Sequence, residues 1–271
     1  MQEQIDKCAK ALTAYGVRKG DVVSLCVLAM PEAVYLLYAI NKIGAIANML
    51  VLNATEAELH EKMLSTESEF VLTVNLVLGK IMQAAKGTSI EHIVGISLAE
   101  SMPFVIGTLY KWKSKEKQEN CISYREFLKA GESQKVESPE IKTDDSAIIA
   151  YTGGTTGKAK GVLLSNRAAN VIGFQYKHAD KVLDFQKGER FLDIIPPFLA
   201  YGLFFGVHMA LCTCLEDVLC PDPAPEHLPE LFKKYKPNHL SGGPLHIEAL
   251  MKDKKVQKMN LSFSKTVAYG G

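Results

Sequence analysis

The chain has almost no excess of charge of either sign, with 31 lysines and arginines against 30 aspartates and glutamates in 271 residues. A balance this even provides no long-range attraction to nucleic acid or to an anionic membrane, so we expect ligand recognition to be local. Apolar residues make up 47% of the chain, which is ordinary for a globular protein. We therefore expect a small-molecule ligand and no nucleic acid partner.

Cysteine is also scarce, with six residues in the whole chain. In a long chain without an export signal these are expected to be reduced thiols rather than a disulfide framework. A metal cluster of Cys212, Cys214, Cys220 and His208 was weighed as an alternative. The first two cysteines are separated by one residue rather than two and lie in an apolar stretch, a pattern typical of small buried side chains. The sequence therefore predicts no metal site.

Targeting and membrane signals are weak. Residues 1–6 contain no basic segment leading into an apolar stretch, which predicts no secretory signal and a cytoplasmic protein. The longest uncharged stretch, 194–215, exceeds the roughly 18 residues at which a membrane span is considered. However, Pro196 and Pro197 interrupt it, and its acidic flanks provide no basic anchor. We expect a buried helix that starts near Tyr201 or Gly202, and no membrane span.

The most informative feature is a run rich in glycine and threonine at residues 151–162, YTGGTTGKAKGV. Its glycines allow positive φ and expose backbone N–H groups, its threonines add hydroxyl donors, and Lys158 and Lys160 add positive charge. These properties predict a loop that binds the phosphates of a nucleoside triphosphate. The residues expected to contact the β- and γ-phosphates are Thr152, Gly153, Gly154, Thr155, Thr156, Gly157 and Lys160.

The spacing excludes two common phosphate loops. A Walker A loop needs a glycine five residues before Gly157, where this chain has Thr152, and a serine or threonine after Lys158, where it has Ala159. A dinucleotide fingerprint opens a helix, whereas the apolar residues after Gly161 predict another short strand. The sequence thus predicts a strand, a glycine-rich loop and a second strand at the edge of a sheet.

Residues 151–162 resemble the ATP-phosphate loop of the adenylate-forming superfamily, which includes acyl-CoA synthetases, nonribosomal-peptide adenylation domains and firefly-type luciferases. Gly153 stands where serine is commoner, and Ala159 where proline is commoner. Weaker similarity extends over residues 20–32, 40–45, 195–203 and 269–271. The resemblance implies an α/β fold, the large N-terminal domain of an adenylate-forming enzyme with β-sheets flanked by helices, here incomplete.

The resemblance also implies the remaining site residues. Gly270 and Gly271 correspond to the opening of the adenine-binding segment. The segment implied to line the acid pocket comprises Phe198, Leu199, Tyr201 and Gly202. Leu199 occupies the position where many members of the superfamily carry histidine. The principal catalytic groups of the superfamily are expected beyond Gly271, together with a missing C-terminal domain, so the chain is expected to be an N-terminal piece that is inactive alone.

The activity implied is that of an ATP-dependent acid–thiol ligase of the acyl-CoA synthetase type. Such an enzyme uses ATP and Mg²⁺ to convert a carboxylic acid into an acyl adenylate, which a thiol, most often coenzyme A, then attacks. Two alternatives stay open at this point. The chain could belong to an adenylation domain that loads a carrier protein, or it could be a non-catalytic nucleotide-binding or partner module.

Alternating strand and helix patterns predict α/β architecture in two lobes of one domain. The first lobe is expected at residues 1–143, with a polar connection at 111–143, and the phosphate-loop lobe at 144–271. We predict strands at 22–28, 70–74 and 90–96, and helices at 32–42, 56–66, 123–130 and 226–235. Asn53 or Thr55 is the expected cap of the second helix.

Overall fold

The computed structural model of the protein describes residues 1–102, 121–136, 139–152, 159–178, 184–222 and 224–270. The chain divides into two compact units, Met1–Asn166 and Arg167–Gly271. Strands and helices alternate in both units, so the predicted α/β class is confirmed. The predicted lobe boundary at 143/144 lies inside the first unit, and the assignment of two lobes stays a prediction.

The first unit is built on a mixed sheet. Its strands are β1 (Val22–Cys26), β2 (Ile46–Met49), β3 (Phe70–Val74), β4 (His92–Ile96), β5 (Ile122–Ser123), β6 (Ser146–Tyr151) and β7 (Gly161–Ser165). Within the described part of the chain they lie in the order β5-β4-β3-β1-β2-β6-β7. All neighbours are parallel except the antiparallel pair of β6 and β7. The interior strand β3 is buried throughout, including Thr73 within its otherwise apolar sequence.

The helices of the first unit are α1 (Gln2–Ala14), α2 (Pro31–Lys42), α3 (Glu56–Ser65), α4 (Leu78–Ala84) and α5 (Tyr124–Ala130). A short 3-10 turn, Asn75–Val77, precedes α4. Thr55 rather than Asn53 caps α3: its Oγ1 accepts the Glu58 N–H at 3.3 Å, and the Glu58 carboxylate accepts the Thr55 N–H at 2.7 Å. This reciprocal capping box determines where the helix begins. The predicted helix at 123–130 corresponds to α5.

The second unit contains a smaller, parallel sheet. Helix α6 (Asn166–Lys177) runs into this unit from the end of the first, and the strands are β8 (Arg190–Asp193), β9 (Glu216–Leu219), β10 (His239–Gly242) and β11 (Thr266–Tyr269). Their order is β11-β10-β8-β9. Successive side chains of a strand point to opposite faces, and accordingly Phe191 and Leu192 belong to different apolar clusters.

The remaining helical segments of the second unit are a π-helical segment (Gly202–His208), α7 (Met209–Cys212), α8 (Leu228–Tyr235) and α9 (Pro244–Lys252), with 3-10 turns at Pro225–His227 and Val256–Lys258. The π-helical segment continues directly into α7 and is buried except at His208, so the predicted buried helix near Tyr201 is confirmed. Among the described helices, none combines the length and apolar character needed to cross a bilayer.

Candidate functional site

The glycine-rich loop is closed at its stem by a backbone ladder. Tyr151, the last residue of β6, is in register with Gly161, the first residue of β7. The next residue, Thr152, donates its N–H to the carbonyl of Lys160 at 3.0 Å, and its hydroxyl lies 3.4 Å from the same oxygen. The predicted strands before and after the glycine-rich loop are therefore confirmed, and β7 lies at the edge of the sheet.

The structure describes part of the predicted phosphate site. Thr152 and Lys160 lie side by side at the stem and both are exposed. Gly153, Gly154, Thr155, Thr156 and Gly157 lie outside the described residues, as does Gly271. The stem thus brings together one hydroxyl and one amine from the predicted set, and the phosphate contacts of all these residues stay a prediction.

Gly161 lies against the ring of Tyr151 at the stem. A Cβ atom on Gly161 would be 3.2 Å from Cε1 of Tyr151 and 3.1 Å from Cγ2 of Ile149, which is tighter than ordinary van der Waals contact. The ring direction of Tyr151 and the path of β7 are therefore coupled. Val162 and Leu163, the next residues of this edge strand, are exposed.

A chain of hydrogen bonds leads from the loop stem to strand β1. The hydroxyl of Tyr151 donates to Oδ1 of the fully buried Asn48 at 2.8 Å. Nδ2 of Asn48 donates to Oγ of Ser24 at 3.0 Å, and Ser24 donates to Oγ of Ser68 at 3.1 Å. Ser68 in turn bonds the carbonyl of Val22 at 3.0 Å. Burial raises the pKa of Tyr151 to about 12, so its hydroxyl keeps the proton that it donates.

The ring face of Tyr151 carries a lysine. Nζ of Lys62, on α3, lies 4.3 Å from the ring centroid, and the residue is only 9% exposed. Burial lowers the pKa of the Lys62 ammonium, whereas the carboxylate of Glu58 acts in the opposite direction. Lys62 and Tyr151 both line a cavity of about 340 Å³ that also includes Gly161 at the stem. Neither Lys62 nor Asn48 was predicted from the sequence, although a polar residue inside the apolar strand β2 is a signal for the second.

In the second unit, Tyr201 is the member of the predicted acid segment that lines a cavity. The cavity measures about 540 Å³, within the range of roughly 300–1,000 Å³ typical of ligand pockets. Two rings of its aromatic lining are stacked, since those of Tyr201 and Phe205 are 5.2 Å apart and inclined by 10°. Tyr176 meets Phe205 edge to face at 4.9 Å.

The other members of the acid segment have different surroundings. Phe198 is buried, at 7% exposure, whereas Leu199 is 42% exposed. Gly202 is enclosed by backbone, since a Cβ there would be 2.3 Å from the carbonyl oxygen of Pro196. Among its described lining residues, the cavity does not include Phe198, Leu199 or Gly202. In the described part of the chain, Tyr201 alone of the four predicted residues lines this cavity, together with Phe204 and Phe205.

The predicted adenine segment lies at the carboxyl edge of the parallel sheet. Gly270 follows β11 directly and donates its N–H to the carbonyl of Gly242, at the end of β10, at 3.3 Å. Tyr269 beside it is 67% exposed. Ligands of open α/β sheets bind outside the carboxyl ends of the strands, so Gly270 stands where the fold favours a site.

Two carboxyl groups of the second unit, one buried and one partly buried, were missed by sequence reasoning. Asp193, at the end of β8, is fully buried, and burial raises its pKa to about 8. Burial, together with the charge of Asp193, raises the pKa of Asp217 on β9 well above its usual range. One oxygen of each, Oδ2 of Asp193 and Oδ1 of Asp217, has no hydrogen-bond partner. The signal available in the sequence was an acid next to the apolar residues of a short strand, Leu192 for Asp193 and Val218 for Asp217.

Comparison with known proteins places this geometry in a family context. The family described as AMP-binding enzyme matches residues 1–271 of the chain. A long-chain-fatty-acid–CoA ligase of Bacillus subtilis is 26% identical over 97% of this chain and 48% of its own length. A 4-coumarate–CoA ligase of Humulus lupulus is 25% identical over 98% of this chain and 45% of its own length. The chain therefore spans about half the length of the curated relatives that it matches.

A solved structure shows the same fold. The crystal structure of an anthranilate CoA ligase in complex with anthranoyl-AMP superposes with a TM-score of 0.83 at 20% identity. The match covers 98% of this chain and 48% of the other. This chain, with its two sheets and flanking helices, therefore shares the fold of the matched part of that ligase.

Proposed function

Because this chain belongs to the AMP-binding enzyme family, we propose that it binds ATP and a carboxylic acid within an ATP-dependent acid–thiol ligase of the acyl-CoA synthetase type. The observation that carries this proposal is the closed stem between Thr152 and Lys160. Thr152 and Lys160, between which the glycine- and threonine-rich segment runs, are thereby adjacent at the edge of the sheet. In the proposal, backbone amides of that segment approach phosphate oxygens.

In this proposal the loop residues Thr152, Gly153, Gly154, Thr155, Thr156, Gly157 and Lys160 contact the β- and γ-phosphates. Mg²⁺ enters with ATP as part of the substrate and bridges those phosphates. Gly270 and Gly271 lie along the adenine. Their main-chain groups would accommodate a flat base closely, since glycine has no side chain to hinder the approach.

The first reaction step needs positioning more than covalent chemistry by the protein. An oxygen of the substrate carboxylate attacks the α-phosphorus of ATP, and the bond from that phosphorus to the bridging oxygen of the β-phosphate breaks. Donors at the loop stabilise the charge that develops on the departing pyrophosphate. The product is an acyl adenylate, in which AMP is the leaving group.

The second step transfers the acyl group to a thiol. The thiolate sulfur attacks the acyl carbonyl carbon, and AMP departs with the electrons of the C–O bond. The names of the relatives that the chain matches contain coenzyme A, which favours coenzyme A over a carrier protein as the thiol.

The acid is proposed to enter the cavity lined by Tyr201, Phe204 and Phe205, with Leu199 as the exposed member of the segment. Its aromatic lining favours an apolar acid, aliphatic or aromatic, over a small polar one. The printed substrates of the relatives span long-chain, aromatic and acetyl groups, so a panel of acids is required to choose among them.

Acid-dependent exchange of labelled pyrophosphate into ATP tests the proposal on the full-length protein. The panel contains acetate, a medium-chain acid, a long-chain acid and 4-coumarate. We expect exchange with at least one apolar acid, and a roughly 10- to 100-fold loss in Lys160→Met, the range for a charge-assisted hydrogen bond to phosphate. The 271-residue chain alone is expected to give no exchange.

The matched control is Lys86→Met. Lys86 is also exposed, and its amine bonds the Gln83 side chain at 2.6 Å, away from the loop stem. Exchange that survives in Lys160→Met at the level of Lys86→Met would contradict the assigned role of Lys160. Absence of exchange with every acid in the full-length protein would refute the activity, and transfer to a carrier protein without transfer to coenzyme A would identify the alternative thiol.

A further inference from the structure

Residues outside the glycine-rich run 151–162 contact the loop stem through Tyr151. The backbone of Tyr151 belongs to the last paired residues of β6 and β7. Its side chain reaches Asn48 on β2. A change in the direction of this side chain would shift the backbone from which Thr152 and the loop continue. The contacts of Tyr151 therefore determine where the loop begins.

The hydroxyl of Tyr151 is fixed by a chain of hydrogen bonds with one direction. Tyr151 donates to Asn48, Asn48 donates to Ser24, and Ser24 donates to Ser68. Ser68 then donates to the Val22 carbonyl on the backbone of β1. Asn48 is fully buried and uses its oxygen for Tyr151. Removing the tyrosine hydroxyl would leave that oxygen without a donor, which is costly inside a protein.

The ring of Tyr151 is fixed by Lys62. An ammonium group over an aromatic face is attracted by the ring quadrupole, and the attraction grows when the pair is removed from water. The same two contacts are joined through Thr66, whose hydroxyl accepts from Nδ2 of Asn48 at 3.3 Å and donates to the carbonyl of Lys62 at 2.8 Å. Helix α3 thus supports both the hydroxyl end and the face of the ring.

We propose that Lys62 and Asn48 are positioning residues for ATP binding, because together they hold Tyr151 and through it the stem of the glycine-rich loop. This inference rests on the proposed function, in which the loop binds the phosphates. Lys62 lies on α3 and Asn48 on β2, so the proposal gives these two elements a role in the affinity for MgATP. Neither residue is among those predicted to contact the phosphates. The carboxylic acid and the thiol do not contact this group of residues in the proposal.

The experiment measures steady-state kinetics of the full-length protein in the variants Lys62→Met, Lys62→Arg and Tyr151→Phe, with Lys86→Met as the matched surface control. We expect Lys62→Met to raise the KM for MgATP about three- to tenfold, as loss of a partly buried cation–π contact predicts. The kcat and the KM for the acid should stay within about twofold of wild type. Lys62→Arg, which keeps a cation over the ring, should restore the wild-type KM for MgATP.

Tyr151→Phe keeps the ring and the cation but removes the hydroxyl, and it should also raise the KM for MgATP. Amide exchange of Thr152 in the protein without ligand provides a second measurement, since its N–H is bonded to the Lys160 carbonyl across the stem. We expect that amide to exchange faster in Lys62→Met and in Tyr151→Phe than in Lys86→Met. If Lys62 and Tyr151 served only to stabilise the fold, their variants would not raise the KM for MgATP selectively.

The outcomes separate this inference from the proposed function. A wild-type protein that turns over ATP, together with a Lys62→Met variant equal to Lys86→Met in KM and in Thr152 exchange, would overturn the inference alone. A Lys62→Met variant that loses kcat with an unchanged KM for MgATP would overturn it as well. A wild-type protein without acid-dependent ATP turnover would overturn the proposed function and the inference with it.

Discussion

Gly206 lies directly against the carboxyl group of Asp193. A Cβ atom on Gly206 would be 2.4 Å from Oδ2 and 2.7 Å from Oδ1 of Asp193. Because Asp193 is fully buried at the end of β8, its carboxyl group has no open space into which to move. The π-helical segment and the sheet can approach this closely only with glycine at position 206.

Gly206→Ala should destabilise the protein by about 1–3 kcal/mol, the usual cost of overpacking a core. The measurement is equilibrium unfolding in urea. Gly79→Ala on α4 is the matched control, because a Cβ there meets nothing within 4 Å. That control should be stabilising by about 0.5–1 kcal/mol through the helix propensity of alanine. Equal stability of the two variants would contradict the close approach.

Asp193 should make the protein less stable as the pH rises. Burial raises its pKa to about 8 in the folded state, against about 3.9 for an unfolded chain. Between these values the native state binds more protons than the unfolded state, so the free energy of unfolding falls with increasing pH. Asp193→Asn should therefore reduce the drop in melting temperature between pH 5 and pH 8.

Asp184→Asn is the control for that measurement. Asp184 is exposed, and hydrogen bonds from Gln186 and Lys265 lower the pKa of its carboxyl group. Its contribution to stability is present above the unfolded pKa and is lost in more acid solution, outside the window from pH 5 to pH 8. A pH dependence in Asp193→Asn that matches wild type would argue against a protonated Asp193 in the folded protein.

The cysteines should differ sharply in reactivity. Burial raises the pKa of Cys8 and of Cys26 to about 11, and both thiols are inaccessible. Cys214 is exposed, at a position with a φ of 58°. In a time course with iodoacetamide at pH 8, followed by peptide mass spectrometry, Cys214 should be alkylated well before Cys8 and Cys26. Early modification of Cys8 in the folded protein would contradict its burial.

Neighbouring residues of the acid segment should have separable roles. Phe198→Ala should cost about 3–5 kcal/mol of stability, because Phe198 is buried. Leu199→Ala should change stability by less than about 0.5 kcal/mol, because Leu199 is exposed. Because Leu199 belongs to the segment proposed to receive the acid, Leu199→Ala should still raise the KM for an apolar acid. Unchanged kinetics and stability together would remove Leu199 from the proposed acid site.

Local patterns in the sequence predicted much of the framework. The prediction of a strand at 70–74 coincides with β3, and the cap at Thr55 was one of two candidates. The strand predicted at 22–28 ends at Cys26, and the one predicted from 90 begins at His92. Apolar runs and helix caps depend on residues close together in the chain. These predictions therefore needed no three-dimensional information.

The candidate site divides in the same way. The composition of residues 151–162 was sufficient to predict a phosphate loop between two strands, and the pairing of Tyr151 with Gly161 agrees. No local pattern indicates that Asn48 and Lys62 would meet Tyr151, because they come from β2 and α3, far away in the chain. The cavity of the second unit likewise takes Tyr201 and Phe205 but not Leu199.

The sequence by itself determined the α/β class, several of the strands and helices, the family and the place of the glycine-rich loop, because each depends on residue types within a short window. Tertiary structure decided which side chains support that loop and which acids are buried. Asp193 and Asp217 lie on neighbouring strands only because β8 and β9 pair, and Asp193 is enclosed where Gly206 of the π-helical segment lies against its carboxyl group. Burial and contact between distant segments are properties of the folded chain, and they alone shift a pKa or hold an aromatic ring in place.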